Sequence, residues 1–161
     1  MPYRGLDAQN LTIGYGHVIR PDDPRRERWM THGITHEEAL EVKRDDMQRY
    51  TNFVNNFLTS NSISLNQHQH DALVSFTFNA GPDWITMSPA SGLRTAIMSG
   101  YYGRIGDEMM RWVYVTVWED GRWVNRPSVG LYRRRTDEVN MFYNTEDAYS
   151  RTYPYAPDEY I

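Results

Sequence analysis

Leu11-Thr12-Ile13-Gly14-Tyr15-Gly16-His17 packs strand-forming residues, two glycines and three side chains capable of chemistry into one short run. Thr12, Ile13 and Tyr15 favour a pleated backbone, while Gly14 and Gly16 permit a bulge or the close approach of another group. A regular strand would place Thr12 and Gly14 on one face and Ile13 and Tyr15 on the other. The stretch therefore reads as a strand anchored by Ile13 that turns a hydroxyl toward a cleft. A glycine-interrupted strand with no role beyond structure is the alternative that these residues alone leave open.

Working outward, residues 2–10 read as an irregular or hairpin approach to this strand, with Gly5 as the turn residue. On the other side, residues 20–28 mix both charge signs with Pro21 and Pro24, which predicts a solvated loop, either bland or bordering a cleft. Thr35 and Glu38 have capping-box spacing and Ile34 sits where a staple residue would, so a helix is predicted from His36 to about Leu58. Leu40, Met47, Tyr50, Val54 and Phe57 give that helix its core-facing stripe. His32 and His36 are four apart, but Gly33 and the cap at Thr35 keep them off one helix face, so no metal site is read.

Asn66 and Gln69 form a second box, and Ala72, Leu73, Val74, Phe76, Phe78 and Ala80 make the following helix apolar nearly all round. Such a helix belongs at the centre of a helical lobe, stopping at Gly81 before Pro82. Ser91 caps a shorter helix that ends at Gly100, and another is predicted over 104–112. Residues 113–124 alternate as a hairpin with a glycine-containing turn. A last helix carries Leu131, Val139 and Phe142 on one side. Arg133, Arg134 and Arg135 in its first turns oppose the helix dipole, which calls for an anionic partner: Asp137, Glu138 or Asp71. From Asn144 onward the chain reads as an extended tail.

The chain has 161 residues, 40 % hydrophobic and 14 % aromatic, enough for one domain with a real core. It contains no cysteine, so nothing stabilising depends on an oxidising compartment. No apolar run approaches the ~18 residues of a membrane span, and the start lacks a basic segment followed by an apolar one. Neither a signal peptide nor membrane insertion is expected. A formal net charge of −4 argues against bulk attraction to nucleic acid or to an anionic wall, so polymer binding would have to come from cleft geometry.

Residues 12–17, TIGYGH, resemble the signature at the active-site hairpin of the phage-type lysozymes, the endolysin family of peptidoglycan-cleaving glycoside hydrolases. Three further stretches agree in the same order: Ile34-Thr35 with Glu37, Glu38 and Ala39; Leu65-Asn66-Gln67 with residues 71–76 and Phe78-Asn79-Ala80-Gly81; and Gly130-Leu131 with Arg134, Arg135 and Glu138. The resemblance implies an α+β, mostly helical, lysozyme-like fold. A small β-hairpin lobe (1–35) and a larger helical lobe (59–145) would be joined by a long helix (36–58), with an extended tail over 146–161. Around 113–124 the family's common pattern is shorter than this chain. Trp118 and Trp123 there either stack on sugar or on each other.

The activity so implied is that of an N-acetylmuramidase, cleaving the β-1,4 bond between N-acetylmuramic acid and N-acetylglucosamine, with no cofactor. An inverting hydrolysis needs an acid and a water-activating carboxylate about 6.5–9.5 Å apart. By resemblance Thr12 matches the threonine that handles the water. Asp7 takes the place of the aspartate, one residue nearer to Thr12 than is usual. Tyr15, His17 and Phe78 fall at substrate-binding positions. Met1 to Leu6 contain no carboxylate to match the family's acid glutamate. That leaves a muramidase whose acid is an upstream segment, another chain or an unrecognised carboxylate, or else a lysozyme-like binding or virion module with impaired chemistry. A phage regulatory protein on the same fold is a third reading. The expected partner is bacterial peptidoglycan. Synthesis is expected in the host cytoplasm, with action on the wall after release or as part of a virion.

Overall fold

The structure, a computed structural model, describes residues 1–4, 10–87, 91–146 and 148–149. Its elements run β1 (Tyr3–Arg4), β2 (Leu11–Ile13), β3 (His17–Val18), α1 (Arg26–His32), α2 (His36–Ser60), α3 (Gln67–Ala80), α4 (Asp83–Thr86), α5 (Gly92–Met98), α6 (Ile105–Met110), β4 (Tyr114–Glu119), β5 (Arg122–Pro127) and α7 (Val129–Tyr143). The fold is α+β and mostly helical. Two compact units divide the chain, Met1–Arg49 with Val115–Asn125, and Tyr50–Tyr114 with Arg126–Ile161.

In the first unit β1, β2 and β3 form an antiparallel sheet in that order, with Tyr3 opposite Thr12 and Ile13 opposite His17. Ile13, Ile19, Trp29 and Val42 make its core, with Leu11 and Ile34 packed against them. The strand alternation expected through Tyr15 stops at Ile13. Gly14 and Gly16 take positive φ, 60° and 98°, so Tyr15 sits in the turn between β2 and β3 rather than beneath the sheet.

Residues 26–28, expected within a loop, are instead the start of helix α1. Asp23 initiates the turn before it, accepting from Arg25 N at 2.8 Å while Arg26 N donates to Asp23 O. Trp29 then closes the core with no exposed surface. The burial of one large aromatic outweighs the polar composition of its neighbours.

Helix α2 opens on the expected box: Glu38 N donates to Thr35 Oγ1 at 3.2 Å, and Thr35 N donates to Glu38 Oε2 at 3.4 Å. Its first half is rotated from the expected stripe. Ala39, Val42 and Asp46 are buried, whereas Leu40 is 41 % exposed. The cause is a close approach: a Cβ built on Gly14 would lie 3.1 Å from the Ala39 Cβ, so the face against the glycine turn must be small. Further along, Val54, Phe57 and Leu58 are buried as the spacing requires.

The second unit is built on α3, which Asn66 and Gln69 cap reciprocally and Gly81 ends at φ 81°. Trp84 on α4 is fully buried, edge-on to Phe57 at 5.3 Å between ring centroids, and its Nε1 donates to Thr77 Oγ1 at 3.0 Å. Ser91 caps α5 as expected, and Ser128 caps α7. On α7 Glu138 is the anionic partner of two of these arginines, held by Arg134 at 3.1 Å and by Arg135 at 3.1 Å. Hairpin β4–β5 turns on Asp120 and Gly121, both with positive φ. Of the predicted tail, residues 147 and 150–161 lie outside the described residues.

Candidate active site

Sheet register places Thr12 in the middle strand between Tyr3 and Val18. Its side chain is buried, and Oγ1 donates to the Tyr3 carbonyl at 2.9 Å. That proton is therefore committed to the backbone, and toward any other partner the hydroxyl acts as an acceptor. Asp7 falls in residues 5–9, outside the described residues.

Tyr15, raised on the glycine turn, is 46 % exposed. Its hydroxyl lies 3.3 Å from His36 Nδ1, and Lys43 Nζ sits 5.1 Å from its ring centroid. An amine over the π face and an imidazole at the phenol tip hold the ring from two sides. Lys43 is the chain's single lysine. Neither it nor the pairing with His36 was read from the sequence; the positions 15, 36 and 43 are too far apart for any local signal.

His17 is engaged within its own unit. Nδ1 lies 2.7 Å from Asp46 Oδ2, Nε2 lies 3.6 Å from Asp23 Oδ2, and the ring is edge-on to Trp29 at 5.5 Å. It thereby ties β3 to α1 and α2. Asp23 also accepts from Arg25 Nε and Nη2 at 3.2 and 3.1 Å, and this hydrogen bonding holds its carboxyl below the usual carboxylate range. The Arg25 guanidinium lies 4.5 Å from the Trp29 ring centroid. His17, Asp22, Asp23, Arg25, Asp46 and Arg49 border a depression of about 330 Å³. Asp46 falls on the helix face that Ala39 and Val42 bury, where an unpaired carboxylate would be costly, and the stripe read through Leu40 and Met47 gave no sign of it.

Phe78 lies in the second unit, half-buried on α3, edge-on to Tyr50 at 5.6 Å. The described residues thus bring Thr12, Tyr15 and His17 together on one small sheet, with Phe78 on the other unit's central helix. Among them no cluster of His, Cys, Asp or Glu could hold a metal ion.

A family model described as phage lysozyme matches residues 2–138. The endolysin of Bacillus phage PZA is 31 % identical over 141 residues, and that of Bacillus phage B103 is 30 % identical over 145. These alignments cover 87 % and 89 % of this chain but 47 % and 48 % of the relatives, so the chain spans about half their length. Among solved structures, the muramidase domain of SpmX from Asticaccaulis excentricus superposes with a TM-score of 0.62 at 27 % identity, covering 88 % of this chain and 84 % of that one. The endolysin from Escherichia coli O157:H7 phage FAHEc1 gives 0.64 at 27 % identity, covering 88 % and 80 %.

Proposed function

The chain belongs to the phage lysozyme family, and from that premise we propose that it is a muramidase hydrolysing the β-1,4 bond between N-acetylmuramic acid and N-acetylglucosamine in bacterial peptidoglycan. The observation that carries the proposal is the state of Thr12. Its hydroxyl proton goes to the Tyr3 carbonyl, so a water beside it must donate a hydrogen to Oγ1. In this reading the Asp7 carboxylate is the base that activates that water toward an anomeric carbon. As the new C–O bond forms, Asp7 takes the water's proton, and an acid on the opposite side of the sugar protonates the departing oxygen. The stereochemistry is inversion. Tyr15, held by Lys43 and His36, contacts sugar on the first unit, while His17 keeps the hairpin in place; Phe78 is the candidate sugar contact on the second unit.

The substrate places its action at the bacterial wall, after release from the host. No described helix is long and apolar enough to cross a membrane. The test is release of new reducing ends from purified walls by the chain and by Asp7→Asn. The expected loss in the variant is at least ~10², the usual share of a positioned acid or base, with the melting transition unchanged. A wild-type rate in Asp7→Asn removes that residue from the mechanism. Wall binding without new reducing ends would identify a binding module on a lysozyme fold.

A further inference from the structure

Hairpin β4–β5 carries two tryptophans that its own unit leaves in water. Trp118 is 59 % and Trp123 52 % exposed, whereas Trp29 and Trp84 have no exposed surface. Their rings meet at 5.1 Å between centroids with a 70° interplanar angle, so one indole presents its edge to the other's face. Mutual packing therefore uses only part of each ring. The turn at Asp120 and Gly121, φ 49° and 78°, has the two-residue geometry that matches strand twist and pins the register. In that register Thr116 falls opposite Asn125, two residues along each strand from the tryptophans, and Thr116 Oγ1 donates to Asn125 Oδ1 at 2.9 Å. Side chains two apart share a strand face. One face of the hairpin thus carries a pair of angled indoles followed by a hydroxyl and amide rung. The other carries Val115, Val117 and Val124, all half-buried.

We propose that this tryptophan face is a second glycan-binding surface, holding the β-1,4-linked N-acetylated amino-sugar strand outside the residues that act on the bond; it rests on the muramidase reading for the identity of the polymer. A pyranose ring has an apolar face of C–H groups and a rim of hydroxyls. The electron-rich face of an indole attracts the former, and the Asn125 amide N–H and Thr116 oxygen suit the latter or an acetamido group. The occupant is uncharged along its backbone, which fits a protein whose formal net charge of −4 gives it no general attraction to an anionic wall. A surface already fixed in register loses little freedom on binding, and a second attachment point raises the local concentration of polymer at the first.

The experiment compares the intact chain with Trp118→Ala/Trp123→Ala and Trp118→Phe/Trp123→Phe. Co-sedimentation with purified peptidoglycan should fall about tenfold in the alanine pair, the equivalent of about 1.4 kcal/mol, and by less in the phenylalanine pair, which keeps the hairpin's ring contact. The wall concentration for half-maximal hydrolysis should rise in parallel, while kcat on short soluble glycan fragments stays constant. Adding N-acetylglucosamine oligomers should shift tryptophan emission to the blue in the wild type and not in the phenylalanine pair. Undiminished sedimentation of both variants overturns the proposal. So does loss in the variants of vesicle binding or self-association in place of wall binding. If no chain releases reducing ends but the variants still lose wall retention, the hydrolase reading fails and this surface stands.

Discussion

Each unit of the molecule sets opposite charges against an aromatic ring, and the two differ most in the arginine, which is half-exposed in one and sealed from solvent in the other. In the first, His17, Asp46, Asp23 and Arg25 surround Trp29 at the edge of an open depression. In the second, Arg135 lies over Phe76 with its guanidinium carbon 4.5 Å from the ring centroid, bound to Glu138 and Asn79, and Arg135 has no exposed surface. Ser75 Oγ adds a hydrogen bond to Glu138 Oε1 at 2.8 Å. The balance between burial and hydrogen bonding sets the direction in which each carboxyl shifts. Hydrogen bonding from Arg25 lowers Asp23, so its charged form is favoured. Burial instead raises Glu138 and pushes Arg135 down to about 10, against the attraction between them. The Asp23 carboxylate is thus favoured as an ion where hydrogen bonds from an arginine outweigh its burial, and the Glu138 carboxylate is opposed as an ion where burial outweighs the arginine.

The sharpest break of this comparison is Arg135→Met, which leaves Glu138 buried without its main partner. A loss of about 3–5 kcal/mol is expected in urea unfolding. Arg135→Met/Glu138→Leu should recover much of it, because the apolar pair removes both desolvation penalties. A double variant as unstable as the single one would mean that the sealed pair is no different in kind from the open one. In the first unit, Asp46→Ala should cost about 2 kcal/mol, the range for a charge-assisted hydrogen bond. The depression admits water to His17, so a loss as large as that of Arg135→Met would erase the contrast.

The smallest effect is the most discriminating, because its sign differs between the units. Asp23 is lowered in the folded chain from 3.8, so its contribution is present above that pH and is lost as pH falls through the folded value below it. Glu138 is raised from 4.5, so the folded state binds the extra proton, and the contribution declines as pH rises from 4.5 toward the folded value. Stability measured against pH for Asp23→Asn and Glu138→Gln, each subtracted from wild type, should show these opposite slopes. Slopes of the same sign would show that burial does not govern the second pair.

Three helix starts were read from the sequence because each is written within four residues. Thr35 with Glu38 and Asn66 with Gln69 close their boxes as spaced, and Ser91 caps by the same local rule, as Ser128 does at the start of α7. The two-unit core was less legible. Residues 26–28 read as part of a solvated loop rather than the start of a helix, and Leu40 looked buried, because hydrophobic pattern ranks positions on an element without saying what faces it. The candidate site divides in the same way. Thr12 and the glycine turn could be named from their own stretch, whereas Lys43 beside Tyr15 and Asp46 beside His17 could not.

By itself, then, the sequence determined what a few neighbouring residues can settle among themselves: caps, turns, the short strand and the family to which their order points. Tertiary structure decided where the charges went. His17 and Asp46 are 29 residues apart and Ser75 and Glu138 are 63 apart, and whether such a group ionises depends on the water left around it once distant elements pack. No local pattern encodes that, because desolvation is a property of the assembled surroundings and not of the side chain.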